Sequence, residues 1–485
     1  MKNRFPNLML RKISLLSAGV AIALAGCQKH TEEPAQQAST ADFSRYIAVG
    51  SSFTAGYADG GLCREGQMYT YPNILSEQFR GANGSDFNQP FFNIDYANGS
   101  GYLHLTGYTT ATATAPIMPV LVPVTTSSGI RTATPQVLYA KYVEPINNLG
   151  VPGLRMADIE TVGYGGLLGN PYFERITPTA TPNQTYLQRV RATVTAIKPT
   201  FFTEWMGTSD VFDFAMAGGA SATAPLTRTD TFTLKTTRLL DALMAGGAKG
   251  LISTIPEVTS LPYFTAVGPS FKAILTARSI SSLVVMTGAV AGGATSGNRK
   301  VITTADIRDA SGGRQLLTLP SAAFLGYLNQ ATDAPWRYVY AQSGQPAAGF
   351  AAFLTANGVD TTRPFGTDAL NPIPSAFVLD DVEQAQVAAA TTAFNLVLVN
   401  AATARKLALF DANAFFRTVA SGGFATSAAT STGTYLAGNI FSLDGVYLTP
   451  RGYATLANEI FTAVSTKYGG NFRTVDVSTY RGSPR

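Results

Sequence analysis

Short apolar runs alternate with amphipathic stretches along much of this chain, and this alternation constrains the fold more than any other feature. Buried strands are predicted at 46–50, 147–150, 201–206, 250–256 and 407–411. Helices are predicted at 71–79, 184–197, 231–245, 380–406 and 451–467. Because strands separated by helices of this length form βαβ units, the sequence predicts an α/β fold, a three-layer α/β/α sandwich with a parallel sheet.

Two long stretches interrupt the alternation and are interpreted as large insertions. Residues from about 80 to 145 are rich in Asn, Gly, Thr and Pro, with short β-prone pieces between turns. Residues from about 263 to 374 are rich in Gly and Ala, with short helical runs, and form a candidate lid. We therefore predict one domain over 43–470 that carries both insertions, followed by a tail over 471–485.

The N-terminus has the layout of a secretory signal peptide over residues 1–26. Four basic residues precede an apolar segment, 13–24, that is too short to span a bilayer and leads into Leu-Ala-Gly-Cys27. That ending resembles a bacterial lipobox, in which the cysteine is acylated, and acyl chains on Cys27 would hold the protein to a membrane. Residues 27–42 are polar and predict a flexible tether.

Composition narrows the classes of partner. The net charge is +5, of which the first 26 residues contribute four, so no nucleic-acid partner is indicated. Charged residues make up 13% of the chain and hydrophobic residues 46%, which is ample for a large core. Cys63 is the only cysteine after Cys27, so no disulfide is expected if Cys27 is lipidated, and neither a metal nor a cofactor is predicted.

The segment 46–57 places a serine where a nucleophile would lie. An apolar strand ends at Gly50, and Ser51 and Ser52 follow at its carboxyl end. Ligands of open α/β sheets bind outside the carboxyl ends of the strands, and the small residues here allow close approach. A Gly-Ser-Ser turn is also ordinary loop chemistry, so the segment alone leaves both interpretations open.

Three further segments occur in order after the first: 150–153, 207–210 and 444–447, reading Gly-Val-Pro-Gly, Gly-Thr-Ser-Asp and Asp-Gly-Val-Tyr. Together with Gly-Ser-Ser-Phe at 50–53, they resemble the four motif blocks of the SGNH/GDSL hydrolases, a family with a flavodoxin-like fold. The resemblance is greater to the lipoprotein branch of that family in Bacteroidota. It implies an outer-membrane lipoprotein, with exposure on the cell surface as an open alternative.

The resemblance also implies a role for each matched residue. Ser52 matches the nucleophile, and its own N–H would join Gly153 and Ser209 in the oxyanion hole. Asp444 matches the carboxylate of the triad, and Tyr447 stands at the position of the histidine. Ser209 stands at the position of the asparagine. The catalytic blocks are therefore degenerate at two positions.

The two replacements have unequal consequences. Losing one oxyanion donor typically lowers the rate by about 10²- to 10³-fold. A phenol with a pKa near 10 is neutral at pH 7 and is a poor proton acceptor, and losing a triad histidine lowers kcat by about 10⁶-fold. The resemblance thus implies a membrane-anchored protein, esterase- or lipase-like in ancestry, whose hydrolytic activity is an open question. The alternative is a non-catalytic lipoprotein that binds a lipid or a glycan.

Two other residues remain open at this stage. His104, in the first insertion, is a possible replacement base, although an ordinary surface or packed histidine is the default. Glu204 falls in a strand predicted to be buried, where a carboxylate needs a partner, and a structural role is favoured. The ligand is expected to be a small-molecule, lipid or glycan ester, and whether the protein has protein partners is left open.

Overall fold

A five-stranded, fully parallel sheet occupies the centre of the molecule in the computed structural model. The structure describes residues 39–485 except 113–116, 135, 221–223, 289–297, 426–429, 471 and 484. The described strands are β1 Tyr46–Gly50, β2 Tyr102–Tyr108, β3 Pro119–Val124, β4 Ile130–Thr132, β5 Leu138–Tyr139, β6 Asn148–Gly150, β7 Phe201–Trp205, β8 Lys249–Ser253, β9 Ser282–Met286, β10 Arg299–Thr303, β11 Leu316–Leu317, β12 Val378–Leu379, β13 Ala408–Phe410, β14 Phe424–Ala425 and β15 Thr430–Ser431. The sheet order is β13-β8-β7-β1-β6.

Helices cover both faces of this sheet. They are α1 Ser52–Ala55, α2 Arg64–Met68, α3 Tyr71–Arg80, α4 Pro171–Ile176, α5 Tyr186–Ile197, α6 Thr208–Met216, α7 Thr229–Leu243, α8 Pro262–Thr265, α9 Gly268–Ala277, α10 Ala334–Gln342, α11 Phe350–Ala356, α12 Asp381–Ala404, α13 Ala412–Ser421 and α14 Pro450–Tyr468. One layer contains α3 and α14, and the other contains α5, α7 and α12. The predicted fold class, an α/β sandwich with a parallel sheet, is confirmed.

The strands of the sheet form because nearly continuous apolar runs are buried on both sides. Every residue of β1 and β7 is buried. On one face, Phe201 of β7 lies 5.7 Å from Phe79 of α3 and 6.0 Å from Tyr468 of α14, measured between ring centroids. On the other layer, Phe232 of α7 stacks on Phe394 of α12 at 4.2 Å. This two-sided burial is what a parallel sheet requires.

Local sequence sets the ends of the flanking helices. Thr185 and Gln188 form a reciprocal capping box at the start of α5, and Asp380 and Glu383 form another at the start of α12. By length and composition alone, α12 could cross a membrane. Its buried side chains pack against α7 and the sheet, so the helix is part of the domain core.

The segments interpreted as insertions contain their own small elements. In the first, β2 and β3 form an antiparallel hairpin with an irregularity between Leu105 and Gly107. In the second, β9 pairs with β10, and a separate apolar cluster forms around Phe271, Leu283 and Phe365. The apolar run that begins at residue 282 supplies β9. The insertion and domain boundaries stay predictions.

Candidate active site

The turn that carries Ser52 joins β1 to α1 at the carboxyl edge of the sheet. A Cβ atom at Gly50 would lie 2.0 Å from Oγ1 of Thr54. One at Gly150, on the neighbouring strand β6, would lie 2.4 Å from the backbone nitrogen of Ala55. Because neither place has room for a side chain, the two glycines let α1 pack directly on the sheet, and this packing fixes the position of Ser52.

The Ser52 hydroxyl faces a backbone amide from the loop after β6. The Gly153 N–H donates to Oγ of Ser52 over 3.2 Å. Gly153 has a φ of +73°, and its turn is held by Asn170, whose Nδ2 donates to the carbonyl of Pro152 at 2.8 Å. An amide that points at the serine oxygen is placed to stabilise charge on an acyl group bound there.

Tyr447 occupies the other side of the serine. Its ring lies 5.0 Å from the ring of Phe53 and 5.1 Å from that of Tyr57, and its hydroxyl is near enough to Ser52 for the serine to affect its pKa. Burial raises the pKa of Tyr447 above its ordinary value, and the nearby Ser52 hydroxyl opposes this only in part. The phenol is therefore neutral at pH 7 and by itself cannot take the serine proton efficiently.

Asp444 is engaged by backbone amides. Its Oδ1 accepts from the N–H groups of Val446 and Tyr447, both at 2.8 Å, and its Oδ2 accepts from Gly60 at 2.9 Å. Burial raises the pKa of Asp444, and these three amides oppose the rise. The carboxylate thus fixes the turn that presents Tyr447 and ties that turn to the loop after α1.

Ser209 lies in the first turn of α6, close to the turn that carries Ser52, and its hydroxyl is hydrogen-bonded to that of Ser51. The hydroxyl oxygens of Ser209 and Ser51 are 2.9 Å apart, and both residues are buried. Of the residues matched to motif blocks, Gly153 therefore bonds to Ser52 directly, and Tyr447 lies near it. Asp444 acts through the Tyr447 backbone, and Ser209 contacts the turn through Ser51.

A second link joins the loop after α1 to the loop that carries Asp444. The Asp59 N–H donates to Oγ of Ser442 at 2.9 Å, and Oδ1 of Asp59 accepts from the Leu443 N–H at 2.9 Å. Burial raises the pKa of Asp59 to about 6, although the Leu443 amide and the charge of Arg485 oppose the rise. The two loops therefore hold each other in place.

A wall of tyrosines extends from Tyr447. Tyr57 lies 6.2 Å from Tyr172, which stacks on Tyr139 at 5.0 Å between ring centroids. We call the part of the surface formed by Ser52, Gly153, Tyr447, Tyr57 and Tyr172 the Ser52 cleft. Tyr139 and Tyr172 come from outside the motif blocks, and no local pattern in the sequence singled them out. Aromatic rings with hydroxyl groups suit a ligand that is partly apolar and partly polar.

Asp213 is a further residue that sequence reasoning missed. It lies on α6, four residues after Ser209, so both side chains project from the same face of the helix. Burial raises the pKa of Asp213 to about 7, and the charge of Arg155 opposes the rise. Its charge in turn raises the pKa of Tyr447. Helical spacing from Ser209 was the signal that could have identified it.

The remaining residues considered from the sequence lie elsewhere. His104 is exposed on β2, and no hydrogen bond or ion pair within the described ranges joins it to Ser52. Glu204 is fully buried in the middle of the sheet, Cys63 is a buried free thiol, and Cys27 lies outside the described residues. Among the side chains that the structure describes, no group of three His, Cys, Asp or Glu residues is placed to hold a metal ion.

Comparison with known proteins adds little to this geometry. No protein-family model matches the chain, and no curated protein matches it in sequence. Among solved structures, the chain is similar to a carbohydrate esterase family 3 protein from Talaromyces cellulolyticus. That similarity has a TM-score of 0.20 and 12% sequence identity, and it covers 48% of this chain and 69% of the other.

Proposed function

We propose that this protein is an SGNH-type serine hydrolase that binds an ester in the Ser52 cleft and cleaves it with low efficiency. The observation that carries the proposal is the hydrogen bond from Gly153 N–H to Oγ of Ser52, 3.2 Å long, at the carboxyl edge of a parallel sheet. A buried serine oxygen beside a backbone amide supplies two parts of an acyl-transfer site, a nucleophile and one donor for the oxyanion.

The low efficiency follows from the groups around the serine. Ser52 attacks the acyl carbon, and the Gly153 amide stabilises the oxyanion that forms. Tyr447 holds the place where a base is needed, and the Ser209 hydroxyl is bonded to Ser51. The lack of a base and the lack of a free oxyanion donor at Ser209 each lower the rate of the chemical step.

The proposal is tested with short p-nitrophenyl esters and with a fluorophosphonate probe that labels reactive serines. We expect slow release of p-nitrophenol and stoichiometric labelling of Ser52, both lost in Ser52→Ala. The matched control is Ser421→Ala, which changes an exposed serine at the end of α13. Equal hydrolysis and no labelling in both wild type and Ser52→Ala would rule out the hydrolase.

A non-catalytic binding protein is the second candidate. It is favoured by the hydrogen bonds that the Asp444 carboxylate makes with backbone amides. Three backbone amides take up the two oxygens of this carboxylate, as expected for a structural group. Such a protein would keep the tyrosine wall and bind a lipid or glycan ester without cleaving it. An ester ligand that raises the melting temperature but is recovered intact after long incubation would support this alternative.

We also propose attachment to the outer membrane through an acylated Cys27, which the pattern Leu-Ala-Gly-Cys supports. In a bacterial host that acylates lipoproteins, the wild-type protein is expected in the membrane fraction. Cys27→Ser is expected in the soluble fraction after removal of the signal peptide. Cys63→Ser is the matched control. Retention of Cys27→Ser in the membrane fraction, resistant to high salt, would contradict lipid anchoring.

A further inference from the structure

Basic side chains are concentrated at the amino edge of the central sheet. Four of its five strands begin within three residues of a lysine or an arginine. These residues are Arg45 before β1, Lys198 before β7, Lys249 at the start of β8 and Lys406 before β13. We call this row of four residues the basic edge. Because the four strands are neighbours in a parallel sheet, the four residues lie at the same end of the sheet.

The opposite edge of the sheet carries acids. Asp411 follows β13 by one residue, Glu257 follows β8 by four and Asp210 follows β7 by five. The basic exception within the same distance is Arg155, after β6, which is ion-paired with Asp158 at 2.8 Å. The fold is therefore polarised, with positive charge at the amino edge of the sheet and negative charge at the carboxyl edge.

A cavity of about 700 Å³ opens at the basic edge. Arg45, Lys198 and Lys249 line it, and Asp42 is the one carboxylate among its lining residues. Within the described part of the chain, the Lys198 ammonium has no hydrogen bond or ion pair. Nε of Arg45 donates to the Lys198 carbonyl at 2.6 Å, which leaves the terminal nitrogens of the guanidinium available. Such a cluster of cationic donors suits phosphate oxygens.

The chain also enters the domain at this edge. The Thr40 N–H donates to the Tyr468 carbonyl at 2.7 Å, and Nζ of Lys249 donates to the Thr40 carbonyl. Cys27 is twelve residues before Ser39, and a chain of that length spans at most about 40 Å. That reach is shorter than the width of a domain of this size, roughly 55 Å. Acyl chains on Cys27 would therefore favour an orientation with the basic edge toward the membrane.

We propose that the basic edge and its cavity bind the phosphate headgroups of an anionic membrane, and that the Ser52 cleft therefore opens away from this membrane. The inference rests on the proposed hydrolase and on the proposed attachment through Cys27, and it names where the substrate comes from. The five residues of β1 place about 17 Å between Arg45 and the turn that carries Ser52. An ester at the level of the headgroups is then out of reach, so the substrate class is a soluble or polymeric ester, not a bilayer lipid.

The acyl chains hold the protein at the membrane, and the basic edge determines which face of the domain turns toward it. A lysine or arginine near an anionic surface strengthens binding by about fivefold. Four such residues would favour the proposed orientation by about 10²-fold or more at low salt, and the acids at the carboxyl edge oppose the inverted one. Salt screens both effects.

The first test measures docking without the acyl chains. Cys27→Ser protein, after removal of its signal peptide, is sedimented with vesicles of phosphatidylglycerol and phosphatidylcholine in equal parts, and with phosphatidylcholine alone. We expect binding only to the anionic vesicles, lost at about 0.5 M NaCl. Lys198→Gln with Lys406→Gln should weaken binding by about 25-fold. Arg191→Gln with Arg417→Gln is the matched control, because it removes the same charge from exposed arginines in the middle of α5 and α13.

Two results would overturn docking on the membrane. One is equal binding by Cys27→Ser protein with and without the two lysine substitutions. The other is binding that inorganic phosphate abolishes at an ionic strength where chloride does not, since the cavity would then be a site for a free anion. Neither result depends on acylation of Cys27 or on the reactivity of the serine.

The second test determines the orientation by hydrogen exchange, which does not depend on hydrolytic activity. Docking on the anionic vesicles should slow exchange in residues 194–200 and 245–249, which supply most of the cavity lining. Exchange in residues 57–62 and 151–155, beside Ser52, should stay unchanged. Slower exchange in these two segments, without a change at the cavity, would overturn the proposed orientation.

Labelling of Ser52 by a soluble fluorophosphonate separates this inference from the proposed function. The wild-type labelling rate with anionic vesicles should stay within about twofold of the rate without them. A fall of about tenfold or more, or release of fatty acid from vesicle lipid that Ser52→Ala does not show, would mean that the cleft faces the membrane, and the orientation would be wrong. If the serine is not labelled even without vesicles, the hydrolase has failed, and hydrogen exchange still decides the orientation.

Discussion

Replacing Tyr447 by histidine supplies a base at Ser52 but leaves the oxyanion short of a donor, because the Ser209 hydroxyl is bonded to Ser51. We therefore expect Tyr447→His alone to change kcat/KM by less than about tenfold. Adding Ser209→Asn should raise kcat/KM by more than the product of the two single effects, since base and oxyanion donors act as a unit. The measurement is kcat/KM on one short ester for the wild type, for Tyr447→His, for Ser209→Asn and for the double variant.

Ser209→Ala serves as the control for removing the hydroxyl without adding an amide. A double variant no better than wild type would mean that the cleft does not admit an ester or that one position is misaligned with the motif blocks. Either result would bear on the assignment of Ser209 and Tyr447, while the position of Ser52 at the end of β1 would be unaffected.

At the scale of elements, the predictable residues are those that follow strands. Ser52 and Gly153 could be predicted to lie together because β1 and β6 are adjacent parallel strands, whose carboxyl ends meet at one edge. Tyr172 could not be predicted, because α4 comes from a stretch without apolar periodicity. The bonding of Asp444 to backbone amides also could not be predicted, because hydrogen-bond partners of a turn depend on loops brought from elsewhere.

The packing of α1 on β6 leads to a prediction about Gly150. A Cβ there would meet the backbone of α1 at 2.4 Å, so Gly150→Ala must displace the turn that carries Ser52. We expect a loss of unfolding free energy of about 1–3 kcal/mol and slower labelling of Ser52 by a fluorophosphonate. Denaturant unfolding measures the first effect. Gly246→Ala is the control, because its added Cβ meets no atom within 4 Å.

The central strand β7 carries a carboxylic acid that links stability to pH. Glu204 is fully buried, neither of its oxygens makes a hydrogen bond of good geometry with a described residue, and burial raises its pKa from 4.5 to about 8. The folded protein thus keeps a proton that the unfolded chain releases near pH 4.5. The unfolding free energy must therefore fall as the pH rises from about 4.5 to about 8.

Glu204→Gln removes this titration while keeping the shape of the neutral acid. We expect the variant to match wild type at pH 5 and to be more stable than wild type at pH 8, as measured by urea unfolding. Glu257→Gln, which changes an exposed glutamate, should leave the pH dependence unchanged. The same slope in wild type and Glu204→Gln between pH 5 and 8 would show that Glu204 is not the group that titrates.

At the scale of the whole molecule, both irregular segments and the C-terminal tail meet the loops that form the site. The Leu103 N–H, from the first segment, donates to the Asp59 carbonyl at 2.6 Å. The Tyr263 N–H, from the second, donates to the Gly445 carbonyl at 2.9 Å. The sequence could not predict these links because they join parts of the chain without periodicity, and they make the position of Ser52 depend on most of the fold.

The tail provides the most testable of these links through Arg485. Its Nε lies 3.6 Å from Oδ2 of the buried Asp59, it pairs with Glu65, and its guanidinium carbon lies 4.1 Å from the ring centroid of Tyr102. Arg485→Ala should lower the unfolding free energy by roughly 1.5–3 kcal/mol, because Asp59 loses a counter-charge. The pKa of Asp59 is about 6, so its carboxylate is charged at pH 8, and the destabilisation should be larger at pH 8 than at pH 5.

Faster hydrogen exchange in residues 58–62 should accompany the loss of stability in Arg485→Ala. Arg473→Ala, at an exposed position of the same tail, is the matched control. Equal destabilisation by both variants, or none by either, would mean that the tail does not support the loop beside Ser52.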